Sequence, residues 1–237
     1  MAENRRIILK LSGEALGVDG KLFDYGAFLS AAKSLMRVQA QGYELAVVIG
    51  GGNVWRGRRG PAMAMGAVAA DQMGMLATLQ NAIMMGDALR AQGAKATVMS
   101  AVDILRFAEP FRAAKADALL KEGSVLLLGG GTGNPFFSTD TAVALRALEL
   151  NCGRIFMAKN VDGVYDKDPT EFPDARVLKQ ITYGECLDRS LRAIDLSALI
   201  LLKDNAFPCV RVFKLDPAGE NLLKVLAGDP MGTTMTP

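Results

Sequence analysis

This chain of 237 residues contains no histidine. That one absence excludes imidazole acid–base catalysis, Ser–His and Cys–His nucleophile pairs, and histidine-ligated metal sites. Cysteine is sparse: Cys152, Cys186 and Cys209 are scattered with no C-x-x-C spacing. They read as small, buried, reduced core thiols of a cytosolic protein. Long apolar runs are missing as well. Ile7-Ile8-Leu9 is far too short for a signal peptide or a membrane span, and no other segment is long enough either, so a cytoplasmic location is expected. Net charge is only +2, which argues against a strong nucleic-acid or membrane field. Half of the residues are hydrophobic, enough for a sizeable core, and the length suits one large α/β domain or two small ones.

Glycine, by contrast, is concentrated in two similar places. Leu127-Leu128-Gly129-Gly130-Gly131-Thr132-Gly133-Asn134-Pro135-Phe136-Phe137-Ser138-Thr139-Asp140-Thr141 reads as a buried strand, a bare-backbone turn and a hydroxyl-rich helix start. Val47-Val48-Ile49-Gly50-Gly51-Gly52-Asn53-Val54-Trp55-Arg56-Gly57 repeats the strand–triglycine–Asn arrangement, and Arg58 and Arg59 extend its basic end. Main-chain N–H groups at such turns, with a helix N-terminus facing them, can hold an anion. A pair of tight strand-to-helix turns is the plain structural alternative.

Taken in order, the pattern gives strands at 6–11, 44–49, 95–100, 124–128, 154–159 and 209–215, with a final short strand near 232–235. Helical spacing covers 26–41, 64–92, 112–122, 139–150, 183–191, 197–205 and 220–226, while 101–111 is irregular or a short helix. The 64–92 helix is apolar on more than one face, which implies burial on several sides or a subunit interface. Asp71, its one mid-helix acid, is either a solvated residue or a ligand contact. Strands alternating with helices predict a largely parallel sheet covered on both faces, and no linker divides the chain. In such sheets ligands bind at the carboxyl ends of strands. Lys10, the Gly50 loop, the Gly129 loop and the Asp- and Gly-rich loop from Val161 to Pro169 all stand at such ends. Lys10 is either a phosphate ligand or a strand-end lysine reaching solvent, and the Val161–Pro169 loop taken alone is a turn-rich surface connection.

The G-x-x-x-x-G-K-[ST] phosphate loop is absent. The dinucleotide fingerprint also fails, because Asn134 and Trp55 stand where its last glycine belongs. Glycines, a lysine, an arginine and hydroxyls still gather where two phosphates could meet. Phosphoryl transfer fits this inventory, since it relies on positioning and charge neutralisation. A phosphate acceptor, with a second pKa of about 6, needs no side-chain base.

Five stretches carry a resemblance. They are Lys10-Leu11-Ser12-Gly13-Glu14-Ala15-Leu16, Val48 through Asn53 with Arg56-Gly57, Asp71-Gln72-Met73-Gly74-Met75-Leu76-Ala77-Thr78, Gly131 through Asp140, and Val161-Asp162-Gly163-Val164-Tyr165 with Asp168-Pro169. In this order they resemble the bacterial uridylate (UMP) kinases of the amino acid kinase family, over nearly the whole chain. The Thr132–Thr139 run and Asp71-Gln72-Met73-Gly74 separate these from acetylglutamate, aspartate, glutamate and carbamate kinases. The resemblance implies a three-layer αβα sandwich around a mostly parallel sheet, as a single domain over residues 1–237. Its N-terminal part would be mainly the acceptor side, and the part from about residue 150 mainly the ATP side.

The resemblance also implies residue roles. Lys10, with Leu11, Ser12 and Gly13, would contact ATP phosphates, and Lys10 would neutralise charge on the moving group. Gly51 would line the UMP phosphate. Gly52 and Arg56 would touch the ATP side, with Arg56 bridging both phosphate groups. Asp71 would bind the uridine end, and Thr132, Gly133, Asn134, Pro135, Phe136, Phe137, Ser138 and Thr139 would wrap UMP. Asp140 would orient Lys10 and the magnesium-bound phosphates, so Lys10, Arg56 and Asp140 are the catalytic candidates. Tyr165 and Asp168 would hold adenine and ribose, while Asp162 and Asp195 take structural or organising roles. Many relatives carry a Lys–small–Thr or longer Lys-Asn-x run before Val-Asp-Gly-Val; here it reads Met157-Ala158-Lys159-Asn160-Val161. Lys159 stands close to where a second phosphate-binding lysine is expected. Mg²⁺ carried with ATP, a homohexamer, GTP activation and UTP inhibition are further implications. The competing expectations are a carboxylate or carbamate kinase of the same fold, a non-catalytic oxyanion storage protein, and a dinucleotide oxidoreductase that the failed fingerprint disfavours.

Overall fold

The computed structural model describes residues 4–17, 21–56, 64–191, 193–216 and 219–237. Gly57, Arg58 and Arg59 of the second glycine loop lie outside the described residues. In chain order the elements are β1 (Arg6–Leu11), α1 (Tyr25–Ala40), β2 (Glu44–Ile49), α2 (Ala67–Arg90), β3 (Ala96–Ser100), β4 (Glu109–Pro110), α3 (Ala113–Lys121), β5 (Val125–Gly129), α4 (Thr139–Glu149), β6 (Arg154–Lys159), β7 (Gln180–Thr182), α5 (Tyr183–Asp188), α6 (Leu196–Asp204), β8 (Val210–Lys214), α7 (Glu220–Leu226) and β9 (Thr233–Thr236). A short 3₁₀ turn, Gly13–Leu16, follows β1.

The nine strands among the described residues form one sheet in the order β4-β3-β5-β2-β1-β6-β8-β9-β7. All pairs are parallel except β8 with β9. β1 lies near the middle and its side chains alternate between two cores. Ile7, Leu9 and Leu11 join Phe28 and Leu35 of α1, Met85 and Leu89 of α2 and Leu222 of α7 on one face. Ile8 joins Leu120 of α3, Val143 of α4, Tyr183 of α5 and Leu199 of α6 on the other. Each fully buried Leu, Ile or Phe contributes about 2 kcal/mol by removal from water. The αβα sandwich thus follows from apolar runs buried on both faces of parallel strands.

The expected elements are present, several with the expected bounds: β1, β2, β6 and α7. α2 starts later than its pattern suggested, so Asp71 sits in its second turn rather than mid-helix. Its outward side leaves Val68, Met73, Leu76 and Ile83 exposed, which explains the apolar pattern on more than one face. The 101–111 stretch is a turn with the two-residue β4, and the helix expected at 183–191 ends at Asp188. β7 had no sequence signal, being three residues long. Cys152 and Cys186 are buried, but Cys209 is only half-buried. No described helix is long and apolar enough to cross a membrane.

Because β1, β2, β5 and β6 are parallel neighbours, their carboxyl ends share one edge. Both triglycine loops, Lys10 and Lys159 are delivered there.

Candidate active site

Register sets the centre of this edge. β1 and β6 pair with Lys10 opposite Met157. Side chains alternate along a strand, so Lys10 shares a face with Ile8 and Met157, and Lys159, two residues on, continues it. That is the face on which α4 packs. Ser138 caps α4, its Oγ accepting from the Thr141 N–H at 3.2 Å, which starts the helix at Thr139. Asp140, in the first turn, then falls between the two lysines. Its Oδ2 accepts from Lys159 Nζ at 2.8 Å and its Oδ1 lies 3.4 Å from Lys10 Nζ. Lys159 also donates to the Ala193 carbonyl ahead of α6. Thr141 and Ser197 share a hydroxyl hydrogen bond of 2.7 Å, joining the same two segments. Asp140 is buried, which by itself raises its pKa. The two ammonium groups override that and hold the carboxyl below the ordinary carboxylate value. The cluster has two cations to one anion, so it favours an incoming anionic group.

The glycine loops flank this cluster. Gly50 N–H bonds the Leu11 carbonyl at 3.0 Å, tying the loop after β2 to the end of β1. In the β5 loop, a Cβ on Gly129 would lie 2.9 Å from both Cα and Cδ1 of Leu79. This glycine therefore serves the packing of α2 against β5 rather than clearance for a ligand. Gly130, at φ +81°, turns the chain, and its N–H donates to Thr78 Oγ1 at 3.0 Å. Beyond it Thr132 Oγ1 closes a small turn with the N–H and carbonyl of Asn134. Pro135 is half-buried, and Phe136 and Phe137 project into solvent. Phe136 is left-handed at φ +70°, a strained state for a bulky residue. Asp71 Oδ2 accepts its N–H at 2.7 Å and holds it there. Asp71 is thus a contact of the Thr132–Thr139 loop, which decides against a purely solvated face residue.

Arg56 joins this edge through a residue outside the candidate set. Its Nη2 lies 2.9 Å from Glu14 Oε1, and Asn160 donates to Glu14 Oε2 at 3.2 Å. Glu14 therefore ties the loop after β2 to the loop after β6. Ser12 precedes the 3₁₀ turn without using its hydroxyl as a cap, and Gly13 is buried beneath it. On the far side, Tyr165 donates to Asp162 Oδ2 at 2.9 Å, a bond that pushes the phenol pKa up, and Lys214 lies 3.4 Å from Asp162 Oδ1. Asp168 Oδ1 accepts from both the N–H and the hydroxyl of Thr170, shaping the next turn. Asp195 is the exposed residue before α6 and makes no side-chain cap. The loop from Val161 is more than a surface turn: Val164 is buried, and Tyr165 bridges Val177.

A model described as the amino acid kinase family matches residues 5–212. The chain belongs to the amino acid kinase family. Among solved structures it is similar to the UMP kinase of Bacillus anthracis, at 30% identity and TM-score 0.92 over 98% of this chain and 96% of that one. The UMP kinase of Ureaplasma parvum is similar at 32% identity and TM-score 0.91 over 98% and 99%. The uridylate kinase of Archaeoglobus fulgidus, at 24% identity and TM-score 0.74 over 97% and 99%, shares the fold. Family and neighbours together make this chain a kinase.

Within this family fold the sequence candidates separate by contact. Lys10, Asp140 and Lys159 meet directly, and Arg56 reaches the same edge through Glu14. Asp71 meets the Phe136 end of the other loop. The side-chain bonds of Tyr165 to Asp162 and of Asp168 to Thr170 are local to the loop after β6. Three residues escaped the sequence argument. Glu14 looks like an ordinary exposed acid, while Thr78 and Asn81 sit in a helical run that reads as core. The one usable signal was polarity on the inward side of an apolar helix, since buried polar groups need a partner.

Proposed function

We propose that the chain transfers the terminal phosphoryl group of ATP to the phosphate of UMP, giving ADP and UDP, by direct in-line displacement. The observation that carries this is Asp140 fixed between Lys10 and Lys159 at the edge where both triglycine loops end. Support for UMP as acceptor comes from the kinship with UMP kinases at 30% and 32% identity.

In this proposal Lys10 and Lys159 neutralise the transferring group. Asp140 holds both ammonium groups in position and does not itself take a proton, since its carboxyl stays ionised. The UMP phosphate is mostly dianionic near neutral pH, with a second pKa of about 6, so the attacking oxygen needs no general base. That suits a chain without histidine. Ser12, Gly13, Gly52 and Arg56, with Leu11 at the strand end, line the ATP phosphates, and Tyr165 and Asp168 hold adenine and ribose. Gly51 N–H faces the UMP phosphate, Asp71 the uridine end, and the loop from Thr132 to Thr139 wraps the nucleotide. The N-terminal part is then mainly the acceptor side, and the part from about residue 150 the ATP side.

Mg²⁺ is proposed to arrive on the ATP phosphates. Among the described residues no three acidic or thiol side chains gather as a cation cage, and Asp140 is already faced by two ammonium groups. These residues do not fit a protein-held ion. Pyrimidine nucleotide synthesis in the cytoplasm, a homohexamer, GTP activation and UTP inhibition belong to the same proposal. Sedimentation and initial rates with each nucleotide test them.

The deciding assay is ADP release with ATP and Mg²⁺ against UMP, CMP, acetylglutamate and aspartate. UMP-dependent release is expected. Faster release with a carboxylate substrate would move the chain elsewhere in its family, and ATP binding without acceptor-dependent release would make it a storage protein.

A further inference from the structure

Asn81 is the most deeply buried polar side chain of α2, with no solvent exposure, in a stretch of helix otherwise facing apolar core. Burying a carboxamide costs free energy unless every polar atom is used. Here they are. One Nδ2 hydrogen goes to the Gly50 carbonyl at 2.7 Å and the other to Asn53 Oδ1 at 2.8 Å. Asn81 Oδ1 accepts from Asn53 Nδ2 at 3.0 Å, and Asn53 Nδ2 also donates to the Leu22 carbonyl at 2.7 Å. The Gly50 and Leu22 carbonyls fix the orientation of the reciprocal amide pair, since flipping the two carboxamides would set oxygen against oxygen at both.

We propose that Asn81 is a positioning residue for the phosphate-binding backbone: it orients the Gly50–Gly51 peptide so that the Gly51 N–H is presented to the acceptor phosphate. The peptide is planar and trans, so its C=O and N–H point to opposite sides. Drawing the Gly50 oxygen into α2 turns the Gly51 N–H away from it. Gly51 is buried, and its carbonyl is taken by the N–H groups of Val54 and Trp55 at 3.0 and 2.9 Å. Its own N–H has no acceptor among the described residues. A buried backbone donor left open is what an anion site requires. Gly13 packs on the same atoms: a Cβ there would lie 2.0 Å from the Gly50 oxygen, 2.5 Å from Asn53 Oδ1 and 2.9 Å from Asn81 Nδ2. The end of β1, the end of β2 and α2 are thus locked around one carboxamide. Nothing in the mechanism above uses Asn81 or Asn53, and both act only through the Gly51 peptide.

This inference rests on the acceptor role proposed for Gly51, and the test separates the two. Selective ¹⁵N-glycine labelling follows the Gly51 amide resonance, and steady-state kinetics follow the substrates. Asn81→Ala is expected to move the Gly51 resonance and to raise KM for UMP about tenfold, with KM for ATP within about twofold of wild type. Asn53→Ala, at a half-buried site, leaves the Asn81 bond to the Gly50 carbonyl in place and is expected to move both in the same direction by less. It carries the test if Asn81→Ala does not fold. A Gly51 resonance unmoved in a folded variant overturns the proposal, as does an equal rise in both Michaelis constants, the mark of general loosening. If the wild-type enzyme gives no UMP-dependent ADP release, the functional reading fails. The Gly51 resonance alone then decides for or against the positioning role.

Discussion

Asp140→Asn isolates the charge on which the catalytic proposal depends. The amide has the same shape and keeps one acceptor oxygen, but it leaves Lys10 and Lys159 close together without a counterion. Both lysine side chains are less than a fifth exposed, at 14% and 17%. Removing one member of a buried charged cluster costs about 3–5 kcal/mol when nothing can relax. The lysines stand at a sheet edge and can swing toward water, so about 2–4 kcal/mol is the reasonable loss of stability. For a domain of this length that is a fall in melting temperature on the order of 10 °C, with the fold retained. Turnover with ATP and UMP is expected to fall about 100-fold or more, as when a preorganised donor at a reacting centre is lost. The pH dependence supplies a second check. The folded-state pKa of Asp140 is depressed, so its contribution is present above the unfolded value of about 4 and is lost as pH falls through the lower folded value. The melting difference between wild type and variant should stay constant from pH 8 to about 5 and shrink below about 4. Near-normal turnover in the folded variant would refute the assignment of Asp140 as organiser of the two cations.

Lys159→Ala is expected to lower turnover strongly in the UMP assay, because it removes the closer of the two cations on Asp140; an unchanged turnover number would remove its role. Asp71→Asn is expected to raise KM for UMP more than KM for ATP, and Asp71→Ala to raise it further, because the amide still accepts the Phe136 N–H and alanine does not. Equal effects on both substrates would contradict the acceptor-side assignment. Burial pushes the Cys152 thiol up to about 12, so at pH 8 it should resist a thiol-modifying reagent until the protein unfolds. Labelling of Cys152 in the native state, read by peptide mass, would contradict its burial.

Much of the sandwich was legible because parallel strands buried on both faces read as mostly apolar runs, and 6–11, 44–49 and 154–159 are such runs with charged residues near their ends. The glycine loops and Lys10 were legible as chemistry at strand ends. What the sequence withheld was pairing order. The resemblance put Lys159 near a second phosphate-binding position, but its contact with Asp140 followed only from β6 neighbouring β1 with Lys10 opposite Met157. No local pattern states which strands are neighbours. β7 escaped because three residues make no periodic signal. Thr78 and Asn81 escaped because two polar residues in an apolar helix look like ordinary exceptions until the loops they bind are in place. Phe136 escaped because a left-handed aromatic is a tertiary fact: its backbone is held by a carboxylate far away in sequence.

The contacts divide the edge between two helices, and the division has a kinetic consequence. α4 brings Asp140 to Lys10 and Lys159, the groups on which charge develops during transfer. α2 makes no such contact. Three of its polar residues each bind backbone of a glycine loop: Asp71 the Phe136 N–H, Thr78 the Gly130 N–H and Asn81 the Gly50 carbonyl. An interaction made only with developing charge changes kcat, whereas one that shapes a pocket before reaction changes KM. Variants along α2 should therefore sort with the acceptor's KM and variants around Asp140 with kcat. Helices on opposite faces of the sheet touch the site through different atoms, so a double variant such as Asp71→Asn with Lys159→Ala should combine additively in free energy, to within about 0.5 kcal/mol. Strong coupling between that pair would mean that the acceptor loop and the lysine cluster move as one body, and the division between the two helices would not hold.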